Sequence, residues 1–133
     1  MSEENVEVAR TLFVRFNRDG VQPVELWHAD AVLLNFRESP IPGPYEGHDG
    51  LRLWRDDLFE VLKEGRFDVE SLADADEANA VVARVHLRGR ARHTEIEVDV
   101  PFSITFWLRD GRIYRSESYT AHDEALEAAG LSE

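Results

Sequence analysis

The sequence predicts an α+β fold: a cone-like curved antiparallel sheet with helices packed on its concave face. Three observations carry that reading. Apolar residues recur at helical spacing in two stretches before residue 65. From Ile96 to Leu108 they alternate without a break, the period of a strand with one buried face. The strands follow one another from Phe67 to Tyr119 with no helix between them, and segregated helices and strands mean α+β. The mouth of such a cone is a usual ligand site.

The elements follow in order. Val6, Ala9, Leu12, Phe13 and Phe16 form the stripe of a first helix, stopped by Asn17-Arg18-Asp19-Gly20. Pro23 opens a short second helix, with Val24 and Trp27 as its buried side. Ala31 to Phe36 reads as a strand. Glu38 to Pro44 carries three prolines and is a loop, placed to act as a lid. A third helix starts near Asp49, buries Leu51, Trp54, Leu58 and Val61, and ends at Gly65. Strands follow over Phe67–Ala73, Ala80–Arg88 and the Ile96–Leu108 alternation. Asp110-Gly111 is a two-residue hairpin signal, and Ile113 to Tyr119 returns as the last strand. Asp123 to Ala129 closes the chain as a helix, with Gly130 as its stop.

Composition narrows the chemistry. The chain has 133 residues, no cysteine, and 27 acids against 15 bases, a formal charge of -12. One domain spanning 1–133 fits this length. Without cysteine there is no disulfide framework, thiolate zinc site or thiol nucleophile. The acidic balance argues against nucleic acid as a partner. MSEENVEVAR does not read as a secretory signal, and no run of about 18 apolar residues exists to span a membrane. The expected location is the cytoplasm. The five histidines lack metal-ligand spacing, so no metal site is expected. His28 reads as a structural residue, and His86 as an outward residue between Val85 and Leu87.

The hairpin supplies the candidate catalytic group. Pairing strictly outward from Asp110-Gly111 sets Phe106 opposite Arg115, Ile104 opposite Glu117 and Phe102 opposite Tyr119. Arg115, Glu117 and Tyr119 would then share the buried face with the apolar alternation. Glu117 becomes a candidate general acid or base, its pKa raised by desolvation, and Tyr119 a donor to a substrate carbonyl or enolate oxygen. The competing reading is a satisfied ion pair between Glu117 and Arg115. Phe13, Phe16, Trp27, Tyr45, Trp54, Ile104 and Phe106 are the candidate ligand-binding surface, with Arg115; alternatively those aromatics simply fill the cone. Thr105, Trp107 and Tyr114 fall on the outer face, where exposed aromatics suggest an interface.

Five segments, in order, resemble the SnoaL-like branch of the nuclear transport factor 2-like superfamily. They are Asn5-Val6-Glu7-Val8, Leu26-Trp27-His28-Ala29-Asp30, Tyr45-Glu46-Gly47-His48-Asp49-Gly50-Leu51, Arg109-Asp110-Gly111-Arg112-Ile113, and Glu124-Ala125-Leu126-Glu127-Ala128-Ala129-Gly130-Leu131. The resemblance implies a ketosteroid isomerase-like, cystatin-like α+β barrel and a homodimer through the outer sheet face. It also implies a cofactor-independent isomerase or cyclase acting by proton transfer on a small hydrophobic carbonyl compound. Two positions depart from the pattern. The cyclases carry their acid–base aspartate on the last strand, where this chain reads Tyr119-Thr120-Ala121, and Ile104 stands where relatives often have a polar residue or histidine. These departures keep open the alternative of a non-catalytic binding or dimerisation module.

Overall fold

The computed structural model describes residues 2–131. Helix α1 runs Ser2–Asp19 and helix α2 Gly47–Val61, with a short 3-10 turn at Val24–Leu26. The strands are β1 Trp27–Leu34, β2 Tyr45–Glu46, β3 Leu62–Ala75, β4 Ala80–Ala91, β5 Glu97–Arg109 and β6 Arg112–Tyr119, and α3 follows at His122–Ala128. All six strands form one curved, unclosed sheet in the order β2-β1-β6-β5-β4-β3. Every pair is antiparallel except β1 with β6, which run parallel.

Each helix buries most of the stripe read from its spacing; Val6 is half-buried, and Val61, expected in the core, is 41% exposed at the end of α2. Ala9, Leu12, Phe13 and Phe16 of α1 and Leu51, Trp54 and Leu58 of α2 are buried against one sheet face. That face presents Val81, Ala83 and Val85 of β4 with Phe102, Ile104, Phe106 and Leu108 of β5. Gly20, at φ 72°, closes α1 by donating its N–H to the Phe16 carbonyl at 2.7 Å. Asn17 extends the stop. Its amide exchanges two hydrogen bonds with the backbone of Phe67, at 2.7 and 2.9 Å, which covers part of the β3 edge.

Two junctions differ from expectation. Trp27 begins β1 instead of lying on a helix; it is buried, and its indole N–H donates to Gln22 Oε1 at 3.2 Å. Strand β3 starts at Leu62, so α2 ends before Gly65. There the chain passes close to β4, and a Cβ on Gly89 would meet the Lys63 carbonyl oxygen at 2.8 Å. Helix α3 packs on the sheet face opposite α1 and α2. Ala125, Leu126 and Ala129 cover Ala75, Ala80 and Val82, and the Thr105 hydroxyl donates to the Ala125 carbonyl at 2.9 Å. The outer face is therefore partly covered: Thr105 is fully buried, and Trp107 is half-buried beside α3.

The register of the last hairpin is the main correction. Asp110 and Gly111 both take positive φ, at 55° and 77°, as a tight two-residue turn requires. Leu108 pairs with Ile113, but Trp107 then pairs with Arg115, so Tyr114 is an extra residue in β6. From there the pairs are Phe106 with Ser116, Thr105 with Glu117, Ile104 with Ser118 and Ser103 with Tyr119. One inserted residue exchanges the two faces of everything after it. The physical reason is charge. Without the bulge, Arg115 and Glu117 would enter an aromatic core, at several kcal/mol per desolvated ion. With it, Ser116 and Ser118 enter instead.

Candidate functional site

The cone is filled at its base and hollow at its mouth. In the base, Phe67 lies 5.5 Å from Phe13, 5.4 Å from Phe16 and 6.3 Å from Phe102, ring centre to ring centre, and stacks on Trp54 at 6.4 Å. Trp27 meets Phe106 edge-on. Only about 30 Å³ remains open there, beside Gln22, Asn35, Ser116 and Ser118. That is room for ordered water and too little for an organic ligand.

The mouth holds a cavity of about 250 Å³. Trp54, Leu58 and Val61 of α2 form one wall, and Leu87, Val98, Val100 and Phe102 of the sheet form the other. The proline-rich loop closes the third side with Phe36, Ser39, Pro40 and Ile41. Asn35 holds this loop in place: its side-chain N–H donates to the Ile41 carbonyl at 2.6 Å and its backbone N–H to the Pro42 carbonyl at 3.0 Å. Ser39 Oγ accepts from the Ile41 N–H at 3.1 Å, and the Phe36 ring meets Phe102 edge-on at 5.5 Å. Asn35 and Ser39 are the polar side chains of the wall besides the Trp54 indole, and no lining residue is ionisable.

The residues singled out in the sequence divide among four places. Trp54 lines the mouth cavity. Phe13, Trp27, Ile104 and Phe106 border the small void at the base, Phe13 also borders a surface groove between α1 and β3, and Phe16 is fully enclosed between Trp54, Phe59 and Phe67. Tyr45 is buried and donates to Asp57 at 2.8 Å; burial first, then that carboxylate, push its hydroxyl up to about 12. Arg115, Glu117 and Tyr119 lie together on the outer face, not in the cone. Arg115 Nε donates to Glu117 at 2.6 Å, and the Tyr119 hydroxyl donates to its other oxygen at 3.0 Å. Burial first, then Glu117, raise the Tyr119 hydroxyl's pKa. Both Glu117 oxygens are thus engaged, as the ion-pair reading expects.

Of the lining residues, Trp54 was among the sequence candidates, and those missed include Asn35, Phe36, Ser39, Ile41, Val98 and Val100. A signal was present for the last two, which extend the β5 alternation beyond the part covered by helices. The lid reading of Glu38–Pro44 placed the loop there but singled out neither Ser39 nor Ile41, whose place depends on how the prolines turn the chain.

The histidines serve structure. His28 Nε2–H donates to the Arg109 carbonyl at 2.7 Å, and His48 sits 3.1 Å from the Trp27 carbonyl. His86 lies outward between two carboxylates, with Asp99 2.7 Å from Nδ1 and Glu70 on Nε2. Hydrogen bonds first to Asp99, then to Glu70, raise its pKa above the usual 6.5. Among the described residues, no group of three His, Asp or Glu side chains is arranged to hold a metal ion, and no helix is long and apolar enough to cross a membrane.

Comparison with known proteins places this geometry. A family model for the SnoaL-like domain matches residues 9–116. The chain belongs to the SnoaL-like domain family. Among solved structures, this SnoaL-like protein is similar to Bal32a from a soil-derived mobile gene cassette, at 18% identity and TM-score 0.78 over 89% of each chain. It is also similar to a ketosteroid isomerase-like-fold protein from Catenulispora acidiphila DSM 44928, solved with trimethylamine. That match has 14% identity and TM-score 0.74 over 94% of this chain and 93% of the other. A third is SalBIII, an epoxide hydrolase/cyclase-like enzyme of pyran ring formation in the polyether salinomycin. It shares 15% identity and TM-score 0.73 over 88% and 90% of the two chains. No curated protein matches the sequence. At these identities the structural likeness establishes the fold, which is nuclear transport factor 2-like.

Proposed function

We propose that this SnoaL-like protein binds a small, largely apolar molecule in the cavity at the mouth of its cone. The observation that carries the reading is the lining of that 250 Å³ space: aliphatic and aromatic side chains, two hydrogen-bonding polar residues and no ionisable group. Proton transfer needs an acid or base within reach of the substrate. Glu117 stands on the opposite sheet face with both oxygens engaged. Binding without proton transfer by Glu117 is therefore the better-supported function.

The isomerase or cyclase reading draws support from enzymes of this fold such as SalBIII. One calorimetric series separates the two. Val100→Trp fills the cavity from the sheet side and should abolish binding of apolar ligands while the far-ultraviolet circular dichroism stays native. Glu117→Gln should leave both affinity and any turnover unchanged. Binding that survives Val100→Trp sinks the cavity assignment, and turnover lost in Glu117→Gln restores the catalytic one.

A further inference from the structure

Resting on that cavity assignment, the geometry points to a ligand class: a neutral, compact hydrocarbon skeleton bearing one hydroxyl group. Size comes first. An engineered apolar cavity of about 150 Å³ accepts benzene, and pockets for drug-sized ligands begin at about 300 Å³. At about 250 Å³ this cavity lies between them. It suits one substituted ring or a small fused pair.

Charge comes second. No lining side chain can pair with an ion. A carboxylate or ammonium would lose its hydration without compensation, a cost far larger than the apolar contacts return. The ligand is therefore neutral.

The polar edge supplies the third constraint. Asn35 must turn its NH₂ toward the Ile41 carbonyl, because a carbonyl only accepts. Its Oδ1 therefore faces elsewhere, and no donor among the described residues reaches it. Ser39 Oγ already accepts from the Ile41 N–H, and its own proton has no acceptor among the described residues. The Trp54 indole N–H likewise has no acceptor among the described residues. Three residues that line the cavity thus carry one spare acceptor and two spare donors, Asn35 and Trp54 bordering the small base void as well. A hydroxyl can donate to Asn35 and accept from Ser39 or Trp54. A ketone would leave the Asn35 oxygen unanswered, and a plain hydrocarbon would leave all three.

Thymol, p-cymene and 4-isopropylbenzoate test this on one skeleton, by isothermal calorimetry at neutral pH. Thymol should bind the wild-type protein about three- to tenfold more tightly than p-cymene, the contribution of one neutral hydrogen bond. 4-Isopropylbenzoate should give no measurable heat. Ser39→Ala should reduce thymol's advantage and leave p-cymene unchanged, the latter showing that the loop still closes. Equal affinities for thymol and p-cymene, or tight binding of the benzoate, overturn the ligand class and leave the cavity assignment standing. Ser39→Ala weakening both neutral ligands alike overturns the polar anchor. Failure of both neutral ligands to bind the wild-type protein overturns the cavity assignment and the ligand class together.

Discussion

Four aromatic rings from α1, α2 and β5 converge on Phe67. It is 5% exposed, and both helices rest against it. Phe67→Ala would remove a ring from a site that cannot collapse without moving two helices. The expected loss is about 3–5 kcal/mol, read as a lower urea midpoint with little change in slope. The sequence marks Phe67 only as the first residue of a strand. Period tells which face a residue takes, not which residues from other elements meet it there. For the same reason Trp54 was legible as buried, while its role as the wall between the filled base and the open mouth was not.

At the scale of elements, the strands β3, β4 and β5 are joined on their outer face by a charged network. His86 bridges Glu70 and Asp99, and Arg88 reaches Asp68 at 3.3 Å and Asp99 at 3.6 Å. Both imidazole nitrogens face carboxylates, so both donate when the ring is charged. The sign of the pH dependence follows. A histidine whose pKa is raised by folding contributes stability that is complete below its unfolded value, near 6.5, and is lost as pH rises through the higher folded value. His86→Gln should therefore cost most in mildly acidic buffer and least in alkaline buffer. Urea midpoints across pH for both proteins check this, and an equal difference at every pH would refute it. The outward place of His86 was legible from its neighbours Val85 and Leu87. The hairpin turn was legible too, because Asp110-Gly111 accepts positive φ. The bulge at Tyr114 was not, because local pattern fits either register. What decides is the cost of bringing Arg115 and Glu117 among aromatic rings, which strict pairing outward from the turn leaves out of account.

For the whole molecule, a charge of -12 opposes close approach of like copies and favours solubility. Against that stands the outer face, where Trp107 is half-buried beside α3 and Tyr114 carries the Arg109 guanidinium 4.4 Å above its ring. We propose that two copies pair through the part of this face that α3 leaves open. Sedimentation velocity at micromolar concentration should then give a dimer that weakens in Trp107→Ala; a monomer in both refutes it. The extra residue in β6 has a consequence for anyone who wishes to retool this protein. The last strand encodes two alternative interiors, one of arginine, glutamate and tyrosine and one of serines, and the spacing of a single residue selects between them. Installing a proton donor inside the cone therefore means editing Ser116 or Ser118, whereas changes at Glu117 redecorate the exterior.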